Sequence, residues 1–555
     1  MVQVNQASNQ PQMPKWHFYD EDGNAVSNFV PTVLACQHVL APTGEKCETF
    51  IRLSLNFADG TDTEITVRFS DLDRLNWPEL DYRCIISSDY RNRRGYIVNI
   101  IRAGLANAPV EIVYRLDRTG IFHLNNTLVY VAGDRAIVPS PATSPPLSFD
   151  LRTGFRLDVD PKLSTVDAFR GMQELISLSP EIGRILVAHT ISGITRAAFK
   201  QAGFTPCAVL VVVGKSGLLK SHYVPHMVQL YDRADGIGPV TRFNSTKRFI
   251  EDTLYTYSEC TAVIDDLHTA ESRGIKRRNE ETAEEIIRRI SDDIGRGRME
   301  GHTQVQRQFR GNAVFIGEYT IGKASTIPRA LVVEITSPPN GAILDNYQRH
   351  HSLVVSTFYY YFIRWYVDHY AEICAAIDGR LTKFREATAN SSIHGRLRDT
   401  YLYLQISYML FLEFCVESRC CSKQDARKES NNFTRYLAGL IQAQQVRFDQ
   451  DDNSKSVDYL NLIRNLYHNS GFSLAKSKKS FDPSVHDGLI YYGCLCLRGE
   501  CLKNRLSQCV SHFSLNDCID SLHDAGALKQ VGTKYTVQIE GTGGRRFYAI
   551  RIWDL

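Results

Sequence analysis

Residues 209–221 read Val-Leu-Val-Val-Val-Gly-Lys-Ser-Gly-Leu-Leu-Lys-Ser. A short, β-branched apolar run that stops at a glycine-rich turn predicts a strand buried on both faces. That demands a parallel sheet covered by helices above and below. The turn then constrains the chemistry. Its backbone N–H groups and the N-terminus of the next helix form an anion cradle. A lysine at its end reaches the β and γ phosphates, and the following serine can ligate Mg²⁺. Gly214, Lys215, Ser216, Gly217, Lys220 and Ser221 are therefore the candidate ATP-binding residues. The usual pattern is G-x-x-x-x-G-K-[ST], and Leu219 stands where its second glycine belongs. The competing reading is a plain strand–turn–helix corner with a surface lysine.

A second element strengthens the first. Residues 261–266, Thr-Ala-Val-Ile-Asp-Asp, predict an apolar strand ending in paired acids. A phosphate-loop enzyme needs a carboxylate there to hold Mg²⁺. Asp265 is the candidate metal carboxylate. Asp266 is the candidate for orienting the attacking water, with a side chain one methylene shorter than the Glu often found there. The alternative is a strand closing in a solvated Asp-Asp turn.

The chain has 555 residues, 43% hydrophobic and 23% charged, which implies several globular domains rather than disorder. The formal net charge of +3 leaves no global field, so nucleic acid could be held only by local patches. The oily segments 352–366 and 401–416 are interrupted or flanked by Arg364, Asp368, Gln405 and Glu413. They read as buried bundle helices, not membrane spans. The cysteines are expected to be reduced and mostly core. Cys494, Cys496, Cys501, Cys509 and Cys518 cluster without the paired Cys-x₂-Cys of a common zinc site.

Pattern changes divide the chain. Residues 1–14 are a polar tail; 15–137 alternate with a period near two and predict a strand-rich domain. A proline-punctuated linker spans 138–150. Residues 151–344 carry helices near 166–199, the phosphate loop, a helix at Lys247–Thr256 capped by Asn244-Ser245-Thr246, a helix at Glu281–Ile294, and buried strands at Asn312–Ile316 and Ala330–Ile335. Residues 345–470 read as helical. In 471–555, helices at Leu506–Phe513 and Leu515–His523 and two strands, Lys534–Ile539 and Arg546–Ile552, outline a winged helix. The expected fold class is α/β: a P-loop core, a strand-rich N-terminal domain, a helical region and a C-terminal winged helix.

Several short motifs recur in a familiar order. They are Thr119-Gly120-Ile121-Phe122-His123 with Leu128-Val129-Tyr130-Val131, the loop ending in Lys220-Ser221, Phe243-x-Ser245-Thr246, Asp265-Asp266, Gly317-Glu318-Tyr319 and Pro328-Arg329. With this order and spacing, the chain from about residue 15 onward resembles the AAA+ replicative helicases of phages, plasmids and integrating elements, a group related to the MCM helicases. Ile121 replaces that family's Trp. The resemblance implies a DNA helicase that hydrolyses ATP with Mg²⁺ as a homo-hexameric ring. It implies action on single-stranded or forked DNA, a primase or loader as possible partner, and a cytoplasmic location. Glu318 or Thr320 is then the sensor residue. Arg329 takes the place of an arginine finger acting on the neighbour's γ-phosphate; otherwise it makes a surface salt bridge.

A translocase needs basic residues on the path of the strand. Arg307 and Arg310, in a segment where such enzymes carry a pore hairpin, are the candidates. Arg296 and Arg298 in the same stretch offer the same charge or instead serve the ATP site or the subunit interface, and a solvated loop is the alternative. In the winged helix, Arg545 and Arg546 are the candidate DNA contacts, near Lys529 and Lys534. Asp517, Asp520 and Asp524 on its second helix would repel phosphate, so a protein-contact module is equally compatible. A reading of another class also stands: an ATP-binding switch or scaffold with weak hydrolysis that recruits replication or regulatory partners.

Overall fold

Alternate residues of the strand Val209–Val213 point to opposite sides, and each side meets its own apolar core. Val209, Val211 and Val213 pack with Ile250, Ile264, Ile287 and Ile290; Leu210 and Val212 pack with Ile185, Tyr223 and Val224. The strand is buried from end to end. In this computed structural model it lies inside a five-stranded parallel sheet. The structure describes residues 15–87, 90–151, 156–233, 236–238, 240–267, 273–293, 295–300, 303–321, 326–389, 391–455, 458–509, 513–531 and 534–552. The tail 1–14 lies outside the described residues.

The sheet order is Val240–Arg242, Thr261–Leu267, Asn312–Gly317, Val209–Val213, Ala330–Glu334. The phosphate-loop strand thus sits between the two last strands of the core. The acid-bearing strand is two places away, about 10 Å across the ladder. One face of the sheet carries the helices Lys247–Thr256 and Arg273–Asp292; the other carries Pro180–Ile194. Thr246 caps the first of these by accepting from Phe249 N. The helix expected at Glu281–Ile294 is longer at its start, running Arg273–Asp292.

The N-terminal sheet is ordered Leu147–Phe149, Val110–Leu116, Phe29–Leu40, Lys46–Phe57, Asp62–Arg68, with the helix Tyr90–Leu105 against it. Leu147–Phe149 lies in the segment read as a linker. It pairs parallel with Tyr114–Leu116 because the prolines precede it and leave its amides free to join the ladder. A separate three-stranded unit, Gly120–Leu124, Thr127–Ala132 and Arg135–Ile137, lies between that sheet and the core: Ile121, Tyr130 and Ile137 pack on the core, while Phe122, Leu124 and Val129 pack with Leu116 and Leu147 of the N-terminal sheet.

The helices Val354–Asp368, Tyr370–Ala387 and Gly395–Glu417 are continuous with the core. Phe358, Tyr366, Tyr403 and Phe414 share an apolar cluster with Phe169, Ile191 and Tyr223. No helix among the described residues is long and apolar enough to cross a membrane.

The chain divides into two compact units, 1–445 and 446–555. In the second, the first helix of the expected pair is Gly499–Leu506, not Leu506–Phe513; Leu506 ends it and 510–512 lie outside the described residues. The following helix is Leu515–Asp524, capped by Ser514. The two expected strands are Thr536–Gln538 and Arg546–Ile550. They join a five-stranded sheet completed by Leu474–Ala475, Gly488–Tyr491 and Cys494–Leu497. These extra strands carry Cys494 and Cys496 into an apolar cluster with Phe547, while Cys518 is buried in another. Cys501 is also buried and Cys509 is exposed. Among the described residues no three His, Cys, Asp or Glu side chains converge to hold a metal.

Candidate functional site

The phosphate loop leaves the sheet at Gly214, whose missing Cβ matters. A Cβ there would fall 2.5 Å from the Ile335 carbonyl oxygen of the neighbouring strand. Gly217 turns the chain with φ +86°. Leu219 then adopts φ 55°, ψ 19°, the left-handed conformation that the usual glycine takes without cost. A leucine there stores about 1–2 kcal/mol of strain. The loop therefore keeps its path despite the substitution. Lys220 begins the helix Lys220–Met227.

Lys220 is nearly buried, and its Nζ donates to the carbonyls of Gly214 and Lys215, both at 2.7 Å. Burial lowers its pKa, opposed by the charges of Glu318 and Asp265. Those two carboxylates line the same pocket as the ammonium, Glu318 just past the adjoining strand and Asp265 on the strand beyond it. Ser221 is exposed at the loop's mouth.

The acids sit on a distortion. The pairing of Thr261–Leu267 with Asn312–Gly317 slips between Ile264 and Leu267, a β-bulge. Asp266 takes φ +76°, and its N–H donates to Asp265 Oδ1 at 2.7 Å. The bulge points both carboxylates off the sheet's end, where a regular strand would send alternate residues to opposite faces. Gly317 is required opposite it, because a Cβ would meet Leu267 O at 2.6 Å. Glu318 N–H donates to that same carbonyl at 2.9 Å, which fixes where Glu318 leaves the strand. Ser216, Gly217, Lys220, Ser221, Asp265, Asp266 and Glu318 line one pocket of about 350 Å³.

Beside Lys220 and His222, the Asp265, Asp266 and Glu318 carboxylates and the Ser216 and Ser221 hydroxyls offer the pocket oxygen, the chemistry Mg²⁺ prefers. A site of few carboxylates suits an ion that keeps waters and arrives with phosphates. Thr320 is exposed beyond the pocket lining.

Arg329 lies elsewhere. It ends the turn Ile327–Arg329 just before the strand Ala330–Glu334, at the opposite end of the sheet from the phosphate loop. Its Nη2 is 3.4 Å from Asp292 Oδ1, which Arg396 Nη2 also approaches at 3.2 Å.

Two hairpin strands, Arg296–Glu300 and Thr303–Arg307, form where a pore hairpin was expected. Arg307 sits at their base. It pairs with Asp252 at 3.0 Å, stacks 5.0 Å over Tyr255, and is 15% exposed. Arg310 turns inward, close enough to Arg118 and Glu259 to act on both electrostatically. Arg545 and Arg546 are exposed, but the turn before them folds onto its own sheet: Ile539 and Thr542 are buried, and Thr542 Oγ1 donates to Ile539 O at 2.7 Å.

Sequence reasoning missed Glu259. It is fully buried at φ +56°, and burial raises its pKa against the pull of Arg118. Its Oε2 accepts from Ile121 N–H at 2.6 Å, and its carbonyl accepts from Tyr130 Oη at 2.6 Å. Its own N–H donates to Arg310 O at 2.9 Å. Thr119 donates from Oγ1 to Ser258 O at 2.6 Å. The Thr119-Gly120 motif is therefore a clamp onto the core, joined through Glu259 to Arg310 just past the hairpin: the carboxylate holds Ile121 and the backbone N–H holds Arg310 O. The signal in the sequence was a lone Glu before an apolar strand, which carries no local meaning.

No protein-family model matches this sequence, and no curated protein matches it. Among solved structures the chain is similar to the SCCmec type IV Cch active helicase, with a TM-score of 0.55 at 12% identity over 95% of this chain and 93% of that one. The JCV helicase aligns over 44% of this chain and 72% of its own at 10% identity, with a TM-score of 0.22, too low to bear on the fold. At such identities only architecture carries across: this chain shares the fold of the Cch helicase over nearly its whole length.

Proposed function

We propose that this chain is an ATP-driven translocase on DNA, a ring helicase of the AAA+ class related to the MCM group, serving replication of a mobile genetic element. The observation that carries it is the division of charge between the two ends of the core sheet. Lys220, Ser221, Asp265, Asp266 and Glu318 gather at one end, and Arg329 stands at the other. Phosphoryl transfer needs a cation on the developing γ-phosphate charge, and only a neighbouring copy can bring Arg329 to it. The fold shared with the Cch active helicase supports the same reading.

In this reading Gly214–Gly217 cradle the phosphates and Lys220 exchanges its loop carbonyls for β/γ oxygens. Ser221 and Asp265 would hold Mg²⁺, which neutralises phosphate charge. Asp266 orients the attacking water, and Glu318 senses the γ-phosphate. The hairpin Arg296–Arg307 faces the DNA path, with Arg307 fixing its base to the helix Lys247–Thr256. The C-terminal unit is a winged helix, the assembly is a hexamer, and a primase or loader delivers it to single-stranded or forked DNA.

The test is ATP turnover by the intact protein and by Lys220→Ala, with and without single-stranded DNA. DNA-stimulated turnover that Lys220→Ala abolishes is expected. Tight ATP binding with negligible turnover in either condition would refute the motor and leave the switch or scaffold, which the strained Leu219 favours.

A further inference from the structure

The strands Gly488–Tyr491 and Cys494–Leu497 are joined by Tyr492-Gly493, with φ +46° and +70°. Two successive positive φ angles make the turn that normally asks for Asn-Gly. A tyrosine occupies it instead, in a conformation non-glycine residues rarely adopt. Tyr492 is 82% exposed, and its ring is held edge-on by Tyr491 at 4.4 Å between centroids. The ring is large, strained and solvent-facing and buries no core, so core packing does not account for it.

Three lysines lie near this turn, together with the Glu540 carboxylate. Leu474–Ala475 pairs parallel with Gly488–Leu489, so the chain that follows, Lys476-Ser477-Lys478-Lys479, runs out beside the hairpin. All three lysines are exposed, and a reciprocal Ser477–Ser480 capping box holds the segment in place. Lys478 and Tyr491 flank the same turn. Lys478 Cδ lies 3.8 Å from where a Cβ of Gly541 would stand, and the adjacent Glu540 acts electrostatically on Tyr491.

We propose that Tyr491, Tyr492, Lys476, Lys478 and Lys479 form a sequence-tolerant binding surface for single-stranded nucleic acid on the C-terminal unit. Tyr492 stacks on an unpaired base, Tyr491 backs the ring, and the lysines neutralise phosphates as point charges. Single strands are favoured because a duplex hides its base faces and offers only edges to a side chain. The helix Leu515–Asp524 is the poorer surface, since it carries Asp517, Asp520 and Asp524. The proposal does not depend on the ATP site.

The experiment uses the full chain and a labelled oligothymidylate, with affinity measured over a salt series. Tyr492→Asn is the decisive variant. It removes the ring while giving the turn the residue it prefers, so loss of binding cannot be loss of fold. A weakening of roughly tenfold is expected, with Tyr492→Trp restoring affinity. Lys478→Gln/Lys479→Gln should lower the slope of log affinity against log salt by about 1.4. Unchanged affinity in Tyr492→Asn overturns the proposal. So does competition by polyglutamate equal to that of unlabelled oligonucleotide, which would mark a general acidic-partner surface. If Tyr492→Asn binds normally while DNA still stimulates ATP turnover, this surface falls and the motor stands. If turnover is absent but Tyr492→Asn still weakens binding, the reverse holds.

Discussion

Arg329 is the residue whose replacement most directly probes the shared ATP site. It precedes Ala330, which pairs with Val209, while the phosphate loop leaves the far end of that strand after Val213. Five residues of strand span about 16 Å. That is beyond the reach of an arginine side chain, so Arg329 cannot serve its own loop. Removing it should cost a trans-acting guanidinium, on the order of 10³-fold or more in turnover, or about 4 kcal/mol of barrier. The cost to folding is small. The ion pair with Asp292 is 18% and 36% exposed, and such pairs contribute about 1 kcal/mol or less. The Arg329→Ala protein should therefore melt near the parent temperature and bind ATP, yet turn over negligibly. Mixing it in equal amounts with Lys220→Ala creates interfaces in which one subunit supplies an intact loop and its neighbour an intact arginine. With random assembly these are about one quarter of all interfaces, so turnover should recover to about that fraction. The readout is steady-state phosphate release with saturating single-stranded DNA. Turnover by Arg329→Ala within tenfold of the parent, or a mixture no more active than its components, would refute the shared site.

Other outcomes follow from single contacts. Gly214→Ala places a methyl 2.5 Å from Ile335 O, a backbone atom held in the sheet, so binding of a fluorescent ATP analogue should weaken at least about tenfold as the loop shifts. Gly217→Ala meets nothing within 4 Å and should cost less, through its φ of +86° alone. Gly120→Ala sets a methyl 2.9 Å from Glu259 Cβ, Cδ and Oε2, at φ +97°. Because Glu259 is locked by Ile121 and Tyr130, a loss of roughly 2–4 kcal/mol in urea unfolding is expected, and an unchanged midpoint would show the clamp is loose. Burial holds His189 and His226 neutral, each with a pKa pushed down to about 4. Below pH 6.5 the unfolded chain takes up protons that the folded chain refuses. Stability should therefore fall as pH drops from about 6.5 to 4, by about 3 kcal/mol per histidine. His189→Gln or His226→Gln should flatten that dependence in denaturation midpoints measured at pH 7 and pH 5; parallel curves would count against burial.

Interactions between residues a few positions apart could be read directly. The five-residue strand, the turn at Gly217, the Thr246 cap with its helix, and the acid-terminated strand are all local patterns of period and punctuation, and each forms. The alternation of strands with helices around the phosphate loop likewise implied a parallel α/β core, and the sheet is parallel. What the sequence alone did not specify is decided by partners far apart in the chain. Ile121 meets Glu259 across 138 positions, and nothing local marks the Glu259 end of that bond. The bulge that aims Asp265 and Asp266 depends on Gly317 letting Leu267 approach, half a domain later. Leu219 would be avoided at a left-handed position by local preference, and the loop's fixed ends impose it. Leu474–Ala475 and Leu147–Phe149 are too short to register as strands until neighbours pair with them. Local propensity is worth tenths of a kcal/mol per residue, so burial and pairing override it wherever the chain closes on itself.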